Sequence, residues 1–233
     1  MLKGLWQALY DRVDVDNSSI VRFVTSVSQT TPPGARVLDA GSGWGRFRPL
    51  FRHCRYITQD LCTVAEWNYD HVSVLSDLHR LPFRNHTFDV VLSTQVLEHV
   101  SDPKQAIHEM YRVLKPNGRL CLTLPQGWKE HQAPHDYFRF TRYGLMHLLQ
   151  DARFRSYSVR PRGGYFWFAG HVLREMLFLD IFSPRPLIGR IFMVPIKGGC
   201  YLVVTGIRFL CYYLDRLDTQ QLLTLGYECI AEK

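Results

Sequence analysis

Residues 36–45 read RVLDAGSGWG, and this stretch decides the fold. Residues 36–40 are mostly apolar, as expected for a strand buried within a parallel sheet. The three glycines that follow let the backbone turn tightly and pass close beneath a ligand. Because parallel sheets bind ligands beyond the carboxyl ends of their strands, the stretch predicts a nucleotide-like ligand just after the first strand.

Strands and helices alternate on either side of this stretch. Further strands are predicted at 56–59, 72–75, 88–93, 119–124, 154–159 and 225–231. Helices are predicted around Leu2, Leu5, Trp6 and Leu9, from Asn17 to Pro32, from the glycine turn to Arg52, from Pro103 to a stop at 116–118, and from Thr141 to Leu149. Asp102 is the expected cap of the helix that begins with Pro103. Strands separated by helices of this length form a parallel sheet covered on both faces.

Three aspartates follow or end the first three strands. Asp39 precedes the first glycine by two residues, where it favours a cationic ligand and repels a pyrophosphate. The glycines are spaced GxGxG and followed by Arg46, whereas the dinucleotide pattern is GxGxxG. Asp60 is positioned to accept hydrogen bonds from two ribose hydroxyls. Asp77 with Leu78 fits an adenine amino group and ring, although Asp77 could equally serve a turn.

Five ordered motifs resemble those of class I methyltransferases, in particular the small-molecule subgroup that includes quinone-biosynthesis enzymes. They are VLDAGSGWG at 37–45, Asp77 with LPF at 81–83, FDVV at 88–91, LEHV at 97–100 and VLKPNG at 113–118. The resemblance covers about residues 35–160. It implies a Rossmann-like α/β fold, in which helices sandwich a mostly parallel seven-stranded sheet whose last strand is antiparallel. It also implies the cofactor S-adenosylmethionine.

The resemblance also implies which residues hold the cofactor. Those expected at its methionine end are Asp39, Gly41, Ser42 and Gly43. Those expected at its nucleoside are Asp60, Leu61, Asp77 and Leu78. Gln95 is expected near the transferred methyl group. The stretch between Asp60 and Val72 is shorter than the family pattern, so the helix usually found there must be abbreviated.

Two histidines are candidates for a general base, which is needed only if the acceptor loses a proton. His99 could instead be held by a backbone group at the start of a helix. His135 begins the segment HDYFRFT at 135–141, which resembles a signature of methyltransferases linked to glycan and natural-product pathways. This segment could also be an ordered loop in which Arg139 pairs with Asp136 and Thr141 caps the next helix. The residues expected to contact the acceptor are Trp128, Tyr137 and Arg139.

About sixty residues, 163–221, separate the last two predicted strands and are rich in large apolar side chains. The longest uncharged run is about ten residues, whereas a membrane span needs roughly 20. Interfacial helices at a membrane, a helical cap or dimer surface, and true insertion remain open alternatives. We expect three parts in the chain: N-terminal helices at 1–34, a domain formed by 35–162 with 222–233, and the insertion.

The composition is that of a globular protein, with 46% hydrophobic and 21% charged residues. The net charge of +7 permits contact with anionic lipid. Residues 93–96 read STQV and lack the signature of enzymes that methylate bases, which disfavours a nucleic-acid substrate. The six cysteines form no CxxC pair, so we expect no metal site. We also expect a cytoplasmic location, with the cytoplasmic face of the membrane as an alternative.

The sequence therefore predicts a methyltransferase with a small, apolar or lipid-linked acceptor, the methylated atom being unresolved. One alternative is a nicotinamide-dependent oxidoreductase, which the glycine spacing and Asp39 disfavour. Another is a non-catalytic, membrane-associated protein that retains the fold.

Overall fold

The computed structural model describes residues 9–177 and 187–233. The helix predicted around residues 2–9 lies outside them except for Leu9. The described residues form two compact units: residues 20–161 with 226–233, and residues 9–19 with 162–177 and 187–225. The three-part division expected from the sequence stays a prediction.

The first unit is built on a seven-stranded sheet. Its strands are β1 (Arg36–Ala40), β2 (Arg55–Asp60), β3 (Val74–Leu75), β4 (Phe88–Thr94), β5 (Leu114–Pro125), β6 (Ser156–Pro161) and β7 (Gly226–Glu232). Their order is 3-2-1-4-5-7-6, and β7 runs antiparallel to both neighbours. This confirms the predicted fold class. The chain order reverses between β1 and β4, which is where such sheets bind ligands.

Two hydrophobic cores lie on opposite faces of this sheet. The helices that contribute to them are α1 (Val15–Gln29), α2 (Pro103–Val113) and α3 (Arg142–Asp151). Successive residues of β1 alternate between the cores, as strand geometry requires. Val37 packs with Phe23 and Val24 of α1, and Leu38 belongs to the core that holds Ile107 of α2.

The predicted helix starts at Pro103 and Arg142 are confirmed by their caps. Asp102 accepts a hydrogen bond from the Gln105 amide at 3.0 Å, and Thr141 accepts one from the Gly144 amide at 3.1 Å. The predicted stop of α2 at 116–118 is wrong. The helix ends at Val113, because β5 begins at the next residue.

Two other predictions in this unit are wrong. The segment from the glycine turn to Arg52 is not an α-helix but a series of turns and a 3-10 helix at Arg48–Phe51. Gly45 has a φ of +73°, and Pro49 near the start of the short helix lacks an amide hydrogen. The third strand pairs over two residues rather than four.

The second unit contains the helical part of the insertion, as predicted. Its elements are α4 (Tyr165–Met176), α5 (Leu187–Leu214) and a 3-10 helix at Asp215–Leu217. Asp215 accepts hydrogen bonds from the amides of Gly164 and Trp167, and burial raises the pKa of this carboxyl. The Trp167 ring also stacks on Tyr212. Within the described ranges, we find no helix with the length and hydropathy of a membrane span.

Candidate active site

A cavity of about 1020 Å³ in the first unit collects most of the predicted site residues. It lies beyond the carboxyl ends of β1, β2 and β4. The predicted residues that line it are Gly41, Ser42, Gly43, Asp60, Leu61, Asp77, Leu78, Gln95, His99, His135 and Tyr137. Since ligand pockets typically have volumes of about 300–1,000 Å³, this cavity can hold a nucleoside together with a second small molecule.

The glycine turn forms one wall of the cavity and is attached to the end of β2. The amides of Gly41 and Ser42 both donate to the Gln59 carbonyl at 2.9 Å. Gly41 has a φ of +77°, and a Cβ at this position would lie 2.4 Å from Cγ1 of Val96. A side chain is therefore excluded here both by backbone conformation and by space.

Asp60 joins this turn to the next loop. Its Oδ2 accepts the Gly43 amide at 2.7 Å, and its Oδ1 accepts the Cys62 amide at 2.7 Å. These two bonds fix the orientation of the carboxylate at the cavity wall. Each carboxylate oxygen can accept a further hydrogen bond, so Asp60 can still receive the two hydroxyls of a ribose.

Asp39 does not line the cavity but is buried next to the glycine turn. The Tyr56 hydroxyl donates to its Oδ2 at 2.5 Å, and its Oδ1 has no hydrogen-bond partner among the described residues. Burial raises the pKa of Asp39 to about 7; the Tyr56 hydrogen bond opposes this shift and the charge of Asp60 adds to it. A cationic ligand at the turn would favour the ionised carboxyl.

The predicted adenine end of the cavity is formed by Asp77 and Leu78. Asp77 Oδ1 accepts the His79 amide at 2.8 Å, which is the turn role left open by the sequence. The loop that follows is clamped to α2. Arg112 donates to the Leu81 carbonyl at 2.9 Å, and Glu109 accepts the Leu81 amide at 2.8 Å. These hydrogen bonds to the Leu81 backbone fix the loop that follows Asp77 and Leu78.

Several residues that line the cavity were not predicted from the sequence: Trp44, Gln59, Trp67, His131 and Gln132. The described loop 61–73 contains no helix, in agreement with its short length. Trp67 in this loop packs on Gly43, where an added Cβ would lie 2.8 Å from its ring. A lone tryptophan between two candidate ligand-binding acids was the available signal.

The opposite wall of the cavity carries His99 and His135. His99 ends the 3-10 helix Leu97–His99, and its Nδ1 lies 2.6 Å from the His135 carbonyl. The backbone-held role considered for His99 is therefore present, and burial lowers the pKa of its imidazole. The His135 side chain is exposed, with Nδ1 2.9 Å from the Tyr137 hydroxyl.

Trp128 and Arg139 are not among the described residues that line the cavity. The Arg139 guanidinium makes two 2.7 Å bonds to the Asp136 carboxylate and donates to the carbonyls of Trp128 and Lys129. It thereby holds the pKa of Asp136 well below its usual range. This is the ordered-loop alternative from the sequence, and an acceptor contact for either residue stays a prediction.

Comparison with known proteins assigns the domain. Residues 38–122 match the model of a methyltransferase domain. An uncharacterised methyltransferase from Mycobacterium sp. (strain JLS) is 32% identical over 156 residues, which are 60% of this chain and 58% of that protein. The ubiquinone/menaquinone biosynthesis C-methyltransferase of Ruegeria sp. (strain TM1040) is 36% identical over 147 residues, 57% of this chain and 53% of that protein. This chain therefore spans little more than half the length of these relatives.

A solved structure shows the same fold over nearly the whole chain. The 1,6-didemethyltoxoflavin-N1-methyltransferase of Burkholderia thailandensis superposes with a TM-score of 0.54 at 18% identity, covering 99% of this chain and 86% of that one. Residues 38–122 therefore resemble a class I S-adenosylmethionine-dependent methyltransferase domain of type 11. The resemblance predicted from the sequence is thereby confirmed over these residues.

Asp39→Asn tests the buried carboxyl. Because the folded pKa of Asp39 is raised to about 7, its contribution to stability is complete below its ordinary pKa of 3.8 and is lost as pH rises through 7. Asparagine does not titrate and can still accept the Tyr56 hydroxyl. We expect the Tm of the variant, relative to wild type, to rise by about 4 °C between pH 5 and pH 8 in ligand-free protein.

The exposed Asp70→Asn serves as the control and should show no such trend. Parallel Tm curves for wild type and Asp39→Asn across this pH range would contradict the raised pKa.

Proposed function

We propose that this chain transfers the methyl group of S-adenosylmethionine to a small, apolar or lipid-linked acceptor. One observation carries the proposal: a single cavity joins the glycine turn and Asp60 on one side to His99, His135 and Tyr137 on the other. Such an arrangement can hold a methyl donor and an acceptor together. Because this chain spans little more than half the length of these relatives, the identity of the acceptor must be found by experiment.

The residues present fit the cofactor. Gly41 and the rest of the glycine turn line the cavity, and Asp60 supplies an oriented acceptor for ribose hydroxyls. Leu78 offers an apolar surface for a base, while the buried Asp39 favours positive charge near the turn. When bound, S-adenosylmethionine supplies an electrophilic methyl group on a positively charged sulfur. The chain contributes alignment and exclusion of water, which provide most of the catalysis in such a displacement.

An apolar acceptor is supported by the aromatic rings at the cavity. Trp44, Trp67 and Tyr137 line it and are each more than a third exposed. The Ruegeria relative is named a ubiquinone/menaquinone biosynthesis C-methyltransferase, which supports an acceptor of this kind. His135, at the acceptor side, is in the right region to take a proton from a hydroxyl.

Calorimetric titration with S-adenosylhomocysteine tests the cofactor site. We expect binding by wild type and a loss of about tenfold or more in Asp60→Asn, because a charged acceptor for the ribose becomes neutral. Asp70→Asn in the same loop is the matched control and should bind like wild type. Absence of binding at high micromolar ligand, or binding of NAD instead, would contradict the proposal.

His135→Ala tests the acceptor side. We expect turnover on a short-chain demethylated quinol to fall by at least about tenfold, while S-adenosylhomocysteine binding and Tm stay unchanged. Turnover is followed by release of S-adenosylhomocysteine. The exposed His147→Ala on α3 is the control. Equal turnover in wild type and His135→Ala would remove His135 from the mechanism.

We also infer that α5 contacts the surface of an anionic membrane. Ile196, Val203, Ile207 and Leu210 are each at least 40% exposed, and their spacing of seven, four and three places them on one face of the helix. The net charge of +7 complements an anionic lipid surface. A lipid-linked acceptor would be met at such a surface.

Sedimentation with phosphatidylcholine–phosphatidylglycerol vesicles tests this contact. Wild type should bind, and the double variant Val203→Asp, Leu210→Asp should lose most of its binding, because two charges are placed on the apolar face. Tyr143→Asp, at an equally exposed aromatic on α3, should not change it. Equal sedimentation of wild type and the double variant would show that α5 does not bind lipid.

A further inference from the structure

Three potential metal ligands meet on the acceptor side of the cavity: Glu98, His99 and His131. One ligand atom from each lies within 4.8 Å of those of the other two. Both histidines line the cavity, and all three residues belong to the first unit. Neither the family match nor the cofactor site described above accounts for this cluster.

The His99 ring has the orientation of a metal ligand. Its Nδ1 lies 2.6 Å from the His135 carbonyl, so Nδ1 must carry the hydrogen and Nε2 must carry the lone pair. Nε2 is buried, lacks a hydrogen-bond partner among the described residues, and lies 3.9 Å from Oε1 of Glu98. Histidines that bind metals typically donate their other ring hydrogen to a carbonyl in this way.

His131 shows the same arrangement. Its Nδ1 is 3.2 Å from the Lys129 carbonyl and 3.4 Å from Oδ2 of Asp136, which leaves Nε2 as the acceptor nitrogen. Asp136 is in turn fixed by Arg139. The His131 and His99 rings meet edge to face, with centroids 4.6 Å apart. The two imidazole rings thus lie next to each other, and the Nδ1 atom of each is held by a second group.

Glu98 completes the donor set with a carboxylate that is fully buried. The charge of Arg139 already acts on this carboxylate, and a bound cation would add to that compensation. The backbone amides of Tyr137 and Phe138 donate to the backbone carbonyl of Glu98, which lies in the 3-10 helix Leu97–His99. The loop carrying Tyr137 is thereby held against the residue that bears the carboxylate.

We propose that Glu98, His99 and His131 bind one Zn²⁺ ion. Two imidazole nitrogens and one carboxylate are the ligands of a catalytic zinc site that keeps one coordination position open. Ligand atoms in a tetrahedral site are roughly 3.3 Å apart, so distances within the cluster must shorten by up to about 1.5 Å. His131 lies in a loop, between Lys129 and Asp136, where a rotation of this size is accessible.

The position of the ion defines an acceptor class. An open coordination position facing the cavity can bind the oxygen of a hydroxyl-bearing acceptor and orient it toward the cofactor side. This assignment of the acceptor rests on the proposed methyltransferase function, whereas the metal site itself does not. The absence of CxxC motifs excluded thiolate zinc sites but did not address histidine and glutamate ligands.

Titration of the chelator-treated full chain with ZnCl₂, without cofactor, tests the site. Wild type should bind one equivalent, and His131→Ala and Glu98→Gln should each bind at least about tenfold more weakly. His147→Ala, which removes an exposed histidine, should bind like wild type. Co²⁺ should give the visible absorption of a tetrahedral site in wild type, and that absorption should be absent in His131→Ala.

Binding of S-adenosylhomocysteine to each variant shows that the domain is folded and separates the two proposals. Zinc binding that is lost in both variants while their Tm stays that of wild type supports the site, whether or not the cofactor product binds. A wild type that binds S-adenosylhomocysteine but no Zn²⁺ would overturn it. Equal Zn²⁺ affinity in wild type, His131→Ala and Glu98→Gln would also overturn it, because the ion would then be held elsewhere.

Discussion

The hydrogen bond from the Gly43 amide to the Asp60 carboxylate is the contact on which the site depends. It holds the turn after β1 against the end of β2, and the second carboxylate oxygen holds the loop that follows. No α-helix begins within the described turn, so helix-terminal amides do not position the ligand here. The cavity wall is instead organised by one charge-assisted hydrogen-bond pair and by glycines with positive φ.

Much of the fold could be predicted because local signals and burial agree. The apolar run of β1, the Asp102 cap and the Thr141 cap each specify structure within a few residues. The helix expected after the glycine turn failed for a local reason as well. The chain was expected to enter a helix directly after the turn, but Gly45 in the left-handed region and Pro49 prevent this. Pattern alone does not register such backbone conformations.

Site residues could be predicted where a glycine or an aspartate lies at the end of a strand. Gly41 and Asp77 line the cavity because they follow β1 and β3, and Asp60 lines it because it ends β2. Trp67 and His131 could not be placed, because both lie in loops whose course depends on tertiary contacts. Arg139, which was expected to contact the acceptor, forms hydrogen bonds with Asp136 and with loop carbonyls, and its contact with an acceptor stays a prediction. The sequence shows that this side chain is charged but not which groups it is hydrogen-bonded to in the folded protein.

The central claim is that a sulfonium nucleoside binds across the glycine turn, and a crystal structure with S-adenosylhomocysteine tests it most directly. We expect the ribose hydroxyls within about 2.6–3.2 Å of the Asp60 carboxylate, the adenine ring at Leu78 and the sulfur directed toward Gln95. A ligand bound outside this cavity, or a ribose without contact to Asp60, would contradict the account.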